Sequence, residues 1–241
     1  VRSGAIGNIL AGQSFRMGNA LSNWREDEAV RRPEWSDMEW QLRRWLFTVW
    51  SSGDFLVEQH VHNLDIIDWV IGSRPVKAMG FGGRDSRTGE QYPNVWDHMS
   101  LEYEYENGIR ISHLGSQIDG LASRNDMRFN GDKGNLLVDF GKAEIKGKKN
   151  WTYTGEKVNP AVQEYADTLD SIRNSKAINE GRQVAESTAT AILGRMAAYS
   201  GRSLSMKWMM GASKLDLAPK DWSFGELPLR APVVPGEWKL V

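Results

Sequence analysis

Two stretches of the chain carry apolar residues at the spacing of an amphipathic helix. The first, which Ser36 or Asp37 can cap, is predicted to run through Thr48. The second starts near Asp54 and ends where Gly72 follows the last apolar residue. Its apolar stripe is wide, so we expect this second helix to be largely buried.

The pattern changes to strand-like alternation between about Arg74 and Thr154, where Gly, Asn and Asp interrupt the apolar runs. This texture is typical of an antiparallel meander. A further strand is predicted over residues 5–17, followed by a surface loop over residues 18–36. The sequence therefore predicts a sheet whose strands are mostly consecutive along the chain.

One hairpin in the meander has a register that the sequence can decide. A two-residue turn after strand Met99–Tyr105 would place Ile109 on the face of the glutamates, whereas a three-residue loop pairs Tyr105 with Ile109 and Glu104 with Arg110. The second arrangement keeps the apolar residues on one face. We therefore predict a three-residue loop with Gly108 in the left-handed conformation.

Two more helical stretches follow the meander, at residues 161–173 and 181–199. The last part of the chain, residues 207–241, holds four prolines and little periodicity, and is predicted to wrap the body in extended form. The fold class is thus α+β, a mostly antiparallel open sheet with helices packed on one face. We expect residues 1–206 to form the domain and 207–241 its tail.

Composition excludes several classes of function. The 241 residues include 30 basic and 31 acidic side chains and no cysteine. Near-neutral charge predicts no nucleic-acid partner, no apolar run approaches the ~20 residues that span a bilayer, and cysteine chemistry is excluded. The chain begins without Met or a targeting signal and is interpreted as part of a longer protein, cytoplasmic or periplasmic.

The most plausible acid/base pair lies on the second helix. Glu58 and His62 are four residues apart, so a regular helix places them on one face, and Asp65 is within reach of the same patch. A carboxylate beside an imidazole sets its pKa and its tautomer. The alternative is an ordinary surface pair. His60 and His62 point to different helix faces, so no metal site is predicted.

Aromatic residues next to charges suggest the walls of a cleft. A hydroxyl-bearing ligand needs an aromatic face and convergent polar groups, although tryptophans also fill cores. The candidates for these walls are Trp24, Arg25, Trp96, Asp97 and His98. The sequence contains no dinucleotide-binding fingerprint, Walker loop or nucleophile elbow.

Four stretches together resemble the Gfo/Idh/MocA family of oxidoreductases, named after glucose–fructose oxidoreductase, inositol dehydrogenase and a rhizopine-catabolism protein. Gly53–Gly72 resembles its signature helix, in which a glycine-led stretch is followed by Asp, three residues, His, two residues and Asp. The opening of its C-terminal domain, its first long hairpin and its closing helix resemble residues 3–9, 96–108 and 186–199 here. The resemblance covers nearly the whole chain.

The resemblance implies a division of labour between two domains. Family members have an N-terminal Rossmann domain for NAD or NADP and a C-terminal domain with an open sheet, which builds the substrate site and often the oligomer interface. His62 takes the place of the family's catalytic histidine, Glu58 that of its aspartate, and Asp65 that of a second acidic residue near substrate. His60 stands where the family commonly has glycine, beside the substrate site.

The family's catalytic lysine and its nucleotide domain are absent from this sequence. We therefore expect the chain alone to be inactive and to bind neither NAD nor NADP tightly. The expected function is that of the substrate-binding half of an NAD(P)-dependent oxidoreductase acting on a sugar, polyol or sugar acid, with His62 as acid/base. The alternatives are an NAD-dependent glycoside-cleaving relative, and a non-catalytic binding or dimerisation domain.

The sheet face away from the helices is also expected to have a partner. If the apolar stripe faces the helices, the opposite face presents polar residues that suit a wet interface. These are Ser100, Glu102, Glu104, Arg110 and Ser112. We expect a homo-oligomer formed through this face.

Overall fold

A single mixed sheet organises the chain. The computed structural model describes residues 1, 3–21, 29–139 and 141–238. Within them, nine strands form one sheet in the order β8-β7-β6-β5-β1-β4-β3-β2-β9. The strands are β1 (Ile9–Gly18), β2 (Lys77–Gly83), β3 (His98–Glu104), β4 (Arg110–Gln117), β5 (Arg124–Gly131), β6 (Gly134–Asp139), β7 (Lys142–Gly147), β8 (Trp151–Thr152) and β9 (Leu204–Ser205).

The first strand lies in the middle of this sheet. β1 pairs in parallel with β4 and antiparallel with β5, while the other described pairs are antiparallel. The mostly antiparallel open sheet is therefore confirmed. The sequence predicted a strand over residues 5–17, but Gly4 and Gly7 adopt positive φ and turn the chain, so the strand begins at Ile9.

The β3–β4 hairpin has the predicted register. Glu104 pairs with Arg110, and the Tyr105 N–H donates to the Ile109 carbonyl at 2.9 Å. Gly108 closes the loop with φ of +79° and donates to the Tyr105 carbonyl. The rule that keeps apolar residues on one face decided this register correctly.

Helices pack against one face of the sheet. The described helices are α1 (Asp37–Arg43), α2 (Val49–Ser52), α3 (Val61–Ile71), α4 (Pro160–Arg173), α5 (Gly181–Ser200) and α6 (Met206–Ala212). Of these, α3 and α5 make the main contacts with the long strands. Short 3₁₀ and π segments occupy Trp45–Phe47 and Leu56–His60. The large core residues between helices and sheet are Leu56, Leu64, Ile67, Leu101, Tyr103, Ile111 and Phe129. α4 contributes no buried residue.

The first predicted helix is shorter than expected. Ser36 caps α1 by accepting from the Glu39 N–H, but α1 ends at Arg43. The buried Arg44 guanidinium donates to the Gln91 carbonyl at 2.8 Å. The Thr48 hydroxyl donates to the Arg44 carbonyl at 2.9 Å. Side-chain donors therefore bond to backbone carbonyls in the segment where a continuous helix was predicted.

The C-terminal segment is not extended throughout. The Ser205 hydroxyl accepts from the Trp208 N–H and caps α6, a seven-residue helix inside the segment predicted to be extended. Beyond it the chain lies against the body, where Asn94 and Trp96 donate to the carbonyls of Arg230 and Val233. The boundary at 206/207 stays a prediction. No helix in the described ranges is long and apolar enough to cross a membrane.

Candidate functional site

A buried carboxylate fixes the start of the signature helix. Gly53 and Asp54 adopt positive φ of +74° and +69°, which turns the chain sharply out of α2. Asp54 is fully buried, and its carboxylate accepts from the Phe55 N–H at 2.6 Å, the Trp96 N–H at 2.9 Å and the Tyr199 hydroxyl at 2.5 Å. These bonds tie the helix start to the β3 entrance and to α5.

A π-helical turn then separates the two predicted catalytic residues. Leu56–His60 is π-helical and continues into α3, so Glu58 and His62 lie on one helical segment but in turns of different width. No hydrogen bond or ion pair joins these two side chains, and the groups that act on the Glu58 carboxylate are Arg16 and Gln59. Because the four-residue spacing aligns side chains only in a regular α-helix, the π turn changes how the pair meets. His62 is exposed and Glu58 half-buried.

Glu58 has an incompletely satisfied carboxylate. Its Oε2 is buried and has no hydrogen-bond partner. Burial raises the pKa of Glu58, while the charge of Arg16 on β1 and a hydrogen bond from Gln59 act in the opposite direction. A carboxyl group with a raised pKa and a free oxygen holds a proton more readily than an exposed glutamate and can accept a hydrogen bond.

Behind Glu58, two histidines and a serine form a buried hydrogen-bonded chain. His60 Nδ1 lies 3.0 Å from His113 Nε2, and His113 Nδ1 lies 3.0 Å from Ser14 Oγ. Gly115 makes room for this contact, since a Cβ there would lie 2.4 Å from His60 Cε1. Burial lowers the pKa of His60 well below its usual value and that of His113 to about 3, so both rings are neutral. His60 Nε2 is buried without a partner.

Further polar side chains from the sheet surround the helix start. Arg16 Nη1 donates to Asn63 Oδ1 at 3.4 Å, and Asn63 Nδ2 donates to Asn125 Oδ1 at 3.0 Å. Gln117 Nε2 donates to Gln59 Oε1. Sequence reasoning missed these residues. Strand alternation would place Ser14 and Arg16 on one face, but nothing in it shows that β1 lies between β4 and β5.

Asp65 and His60, two of the predicted substrate-binding residues, contact different elements of the fold. Asp65 Oδ1 accepts from the Ser187 hydroxyl of α5 at 2.5 Å, so it joins two helices. His60 points into the interior, toward β4. Trp24 and Arg25, two of the predicted cleft walls, lie outside the described residues.

The other predicted wall residues lie at the entrance of β3. Trp96 is fully buried, and Asp97 Oδ2 accepts from the N–H groups of Asp85, Ser86 and Arg87. Burial acts to raise the pKa of Asp97, but these donors and His98 hold it below its usual value. Asp97 therefore orders the loop at 85–87.

His98 points away from the helices. Its Nδ1–H donates to Asp97 Oδ1 at 2.7 Å, because the ionised carboxylate can only accept. Alternation along β3 buries Met99 under the helices, so His98 lies on the open face with Ser100. The structure thus brings Glu58 and His62 onto one helical segment and sets His98 on the other side of the sheet. In the described part of the chain, no three histidine or carboxylate side chains form a metal-binding group.

Comparison with known proteins agrees with this architecture. The model of the GFO/IDH/MocA C-terminal domain matches residues 1–137, more than half of the chain. The chain belongs to this family. A search of curated proteins found no match.

Solved structures of oxidoreductases share the fold of this Gfo/Idh/MocA domain. Aldose–aldose oxidoreductase from Caulobacter crescentus, complexed with glycerol, matches with a TM-score of 0.63 and 15% identity, over 85% of this chain and 57% of its own. UDP-N-acetylglucosamine 3-dehydrogenase from Acidithiobacillus ferrooxidans matches with a TM-score of 0.59 and 16% identity, over 83% of this chain and 56% of its own. An Agrobacterium radiobacter oxidoreductase in complex with NAD⁺, L-tartaric acid and magnesium matches with a TM-score of 0.58 and 14% identity, over 86% of this chain and 60% of its own.

These similarities establish the fold of the domain. At 14–16% identity they carry no residue roles across. The chain spans 56–60% of the length of these structures.

Proposed function

We propose that this chain is the substrate-binding half of an NAD(P)-dependent oxidoreductase acting on a sugar, polyol or sugar acid. The observation that supports it is the Glu58 carboxylate, which lies on the signature helix with a buried, unpartnered oxygen and a raised pKa. Such a group is costly to keep unless it has a use. The solved structures with glycerol or L-tartaric acid hold hydroxyl-bearing molecules of the proposed class.

In this proposal the chain handles the proton of the reaction. His62, which is exposed beside the π turn, takes the proton from the reacting hydroxyl, while Glu58 accepts a hydrogen bond through its free oxygen. Arg16 supplies a positive charge close to Glu58 and favours its ionised form.

The nicotinamide of a bound NAD(P) would take up the hydride, but the residues of this chain do not form a site that fits a dinucleotide. The sequence lacks a glycine-rich turn leading into a helix, and β1 and β4, the parallel pair among the described strands, are separated by several elements. In this proposal another domain would hold the nucleotide.

The proposal is tested in the intact enzyme that carries this chain. His62→Ala should lower kcat by ~10²–10⁴, the usual contribution of a general acid/base, with a smaller change in KM. Glu58→Gln should shift the pH profile of kcat/KM because it removes a titrating group next to the site. His98→Ala is the matched control, since that histidine lies on the open face. If His62→Ala leaves the rate and the pH profile unchanged, the proposal is wrong.

We also propose that the open sheet face forms a homo-oligomer. Beside the polar residues Ser100 and Glu102 it carries exposed Phe81 and Met79 and, in line with them, Leu114. An apolar patch with a polar rim is the usual anatomy of an interface. Light scattering of the wild-type chain should give at least a dimer mass, and Phe81→Glu should shift it to a monomer. A monomeric wild type would contradict the idea.

A further inference from the structure

A buried arginine lies on α5 without a hydrogen-bond or ion-pair partner among the described residues. Arg195 is only 5% exposed, and its Nε is buried with no hydrogen bond. Its side chain makes no hydrogen bond and no ion pair to any described residue, although ring contact brings it 6.0 Å from the Tyr199 centroid. A guanidinium carries five N–H donors and is always charged, so burial without a partner is strongly unfavourable.

The nearest opposite charge does not satisfy this guanidinium. Asp54 influences the Arg195 pKa, but its carboxylate is already taken by the Phe55 N–H, the Trp96 N–H and the Tyr199 hydroxyl. Arg195 forms no salt bridge with it, and burial is the main influence that lowers the pKa of Arg195. The charge of Asp54 thus acts on Arg195 from a distance, but the N–H donors of the guanidinium are left without an acceptor in the described part of the chain.

Arg195 lines a pocket that the C-terminal segment closes. The pocket has a volume of about 250 Å³, and its aromatic walls are Trp50, Tyr199 and Trp238. Leu215, Leu217 and Val233 add apolar surface, and a neighbouring groove shares Trp50 and Arg195. Neither Glu58 nor His62 contributes to these walls, so the pocket's role is independent of the function proposed above.

The charge of the lining selects the sign of the ligand. The pocket is lined by two positively charged side chains, Arg195 and the exposed Arg230, and by no aspartate or glutamate. A negatively charged ligand is therefore favoured. A flat apolar body fits between aromatic walls, and a single negative charge loses less solvation there than a phosphate dianion. The volume, just below the ~300–1,000 Å³ of drug-sized sites, suits a compact molecule.

We propose that this pocket binds a small organic carboxylate with a flat apolar body, whose carboxylate pairs with Arg195. The ring or chain of the ligand then packs against Trp50 and Trp238, and its carboxylate accepts from the guanidinium. The C-terminal segment from Leu215 to Trp238 provides much of the wall. Ligand binding would consequently stabilise the attachment of this segment to α5.

Titration of the full chain with phenylacetate tests the proposal. Trp50 and Trp238 line the pocket, so intrinsic fluorescence reports binding directly, and calorimetry supplies the affinity. We expect saturable binding with Kd on the order of 10⁻⁴ M, which is reasonable for a ligand of this size. The neutral isostere phenylacetamide and inorganic phosphate should bind at least ~10-fold more weakly, because one lacks the charge and the other the apolar body.

Two variants separate a binding role of Arg195 from a structural one. Arg195→Met should abolish phenylacetate binding while leaving the ligand-free Tm equal or higher, because it removes an unpaired buried charge. Arg202→Met, at an exposed arginine just past the end of α5, should keep wild-type binding. Phenylacetate should raise the Tm of wild type and Arg202→Met only.

Several results would overturn the proposal. Absence of saturable binding at concentrations of about 10 mM would do so, as would equal affinity for phenylacetamide. Binding of phosphate alone would replace a carboxylate site by a phosphate site. An Arg195→Met variant that still binds phenylacetate would show that Arg195 is not needed for binding. A variant that loses binding and also has a lower ligand-free Tm than wild type would show that Arg195 is structural.

Discussion

The helical segment from Asp54 to Ile71 carries two sets of buried polar groups that differ in how well they are satisfied. The first set, the α5-facing carboxylates, is Asp54 and Asp68. Each accepts from a tyrosine hydroxyl, Asp54 from Tyr199 at 2.5 Å and Asp68 from Tyr105 at 2.6 Å. Further donors complete both carboxylates, so these residues lock the helix to its neighbours.

The second set, the Glu58–His60 pair, lies between these carboxylates along the chain and keeps two atoms without partners. Glu58 Oε2 and His60 Nε2 are buried and make no hydrogen bond. Native interiors satisfy nearly all buried polar atoms, so the exceptions mark places where a ligand or water belongs. The difference separates carboxylates that hold the fold from one that is available for chemistry.

The largest expected effect is on stability, and it distinguishes the two sets directly. Asp54→Ala should lower the free energy of unfolding by about 3–5 kcal/mol, because it leaves the buried Trp96 and Tyr199 donors unpaired and puts alanine at positive φ. Glu58→Ala should change it by less than about 1 kcal/mol, since Oε2 has no bond to lose and the half-buried carboxylate gives up only its interactions with Gln59 and Arg16.

Urea unfolding at neutral pH measures both variants. Far-ultraviolet circular dichroism of each folded variant is the control for gross misfolding. Equal losses for Asp54→Ala and Glu58→Ala would break the distinction between a locking and an available carboxylate.

The second expected effect concerns pH and the α5-facing set. Burial raises the pKa of Asp68 to about 7, against the opposing hydrogen bonds from Tyr105 and Thr190. The folded pKa lies above the unfolded one, so this group's contribution is fully present below about pH 4 and is lost as the pH rises through 7. Stability should therefore fall across this window, by up to about 1.4 kcal/mol per pH unit.

Asp68→Asn provides the check for that window. The amide keeps the shape but does not titrate, so the variant should lose less stability than wild type between pH 5 and pH 7, by about 1–2 kcal/mol. Urea unfolding at several pH values gives the two slopes. Parallel slopes would mean that Asp68 is ionised throughout in the folded protein.

Local rules predicted the parts of this fold that depend on neighbouring residues. Gly108 closes the β3–β4 loop in the left-handed conformation, and Gly72 ends its helix, as expected. These features depend on backbone sterics and on keeping one face apolar. Both can be judged from a few consecutive residues.

The candidate site was only partly predictable because its partners come from distant strands. Ser14 and His113 meet because β1 inserts between β4 and β5, and strand alternation does not specify which strands pair. The π turn at Leu56–His60 was also missed, since the apolar stripe tolerates one extra residue per turn. Glu58 and His62 were found by their spacing and by resemblance, and their roles stay predictions.

The smallest expected effect concerns the histidines behind Glu58, and it has the opposite sign in pH. Burial lowers the pKa of His113 to about 3 and also depresses that of His60. As the pH falls below about 6.5 the unfolded chain takes up protons that the folded chain excludes, so stability falls toward acid rather than toward base. His113→Gln keeps a polar group beside His60 and Ser14 but removes one titration. Between pH 7 and pH 6, wild type should lose about 0.5–1 kcal/mol more than this variant in urea unfolding. If the two curves run parallel, His113 takes up a proton in the folded protein as readily as in the unfolded chain, and the buried hydrogen-bonded chain of His60, His113 and Ser14 is not neutral.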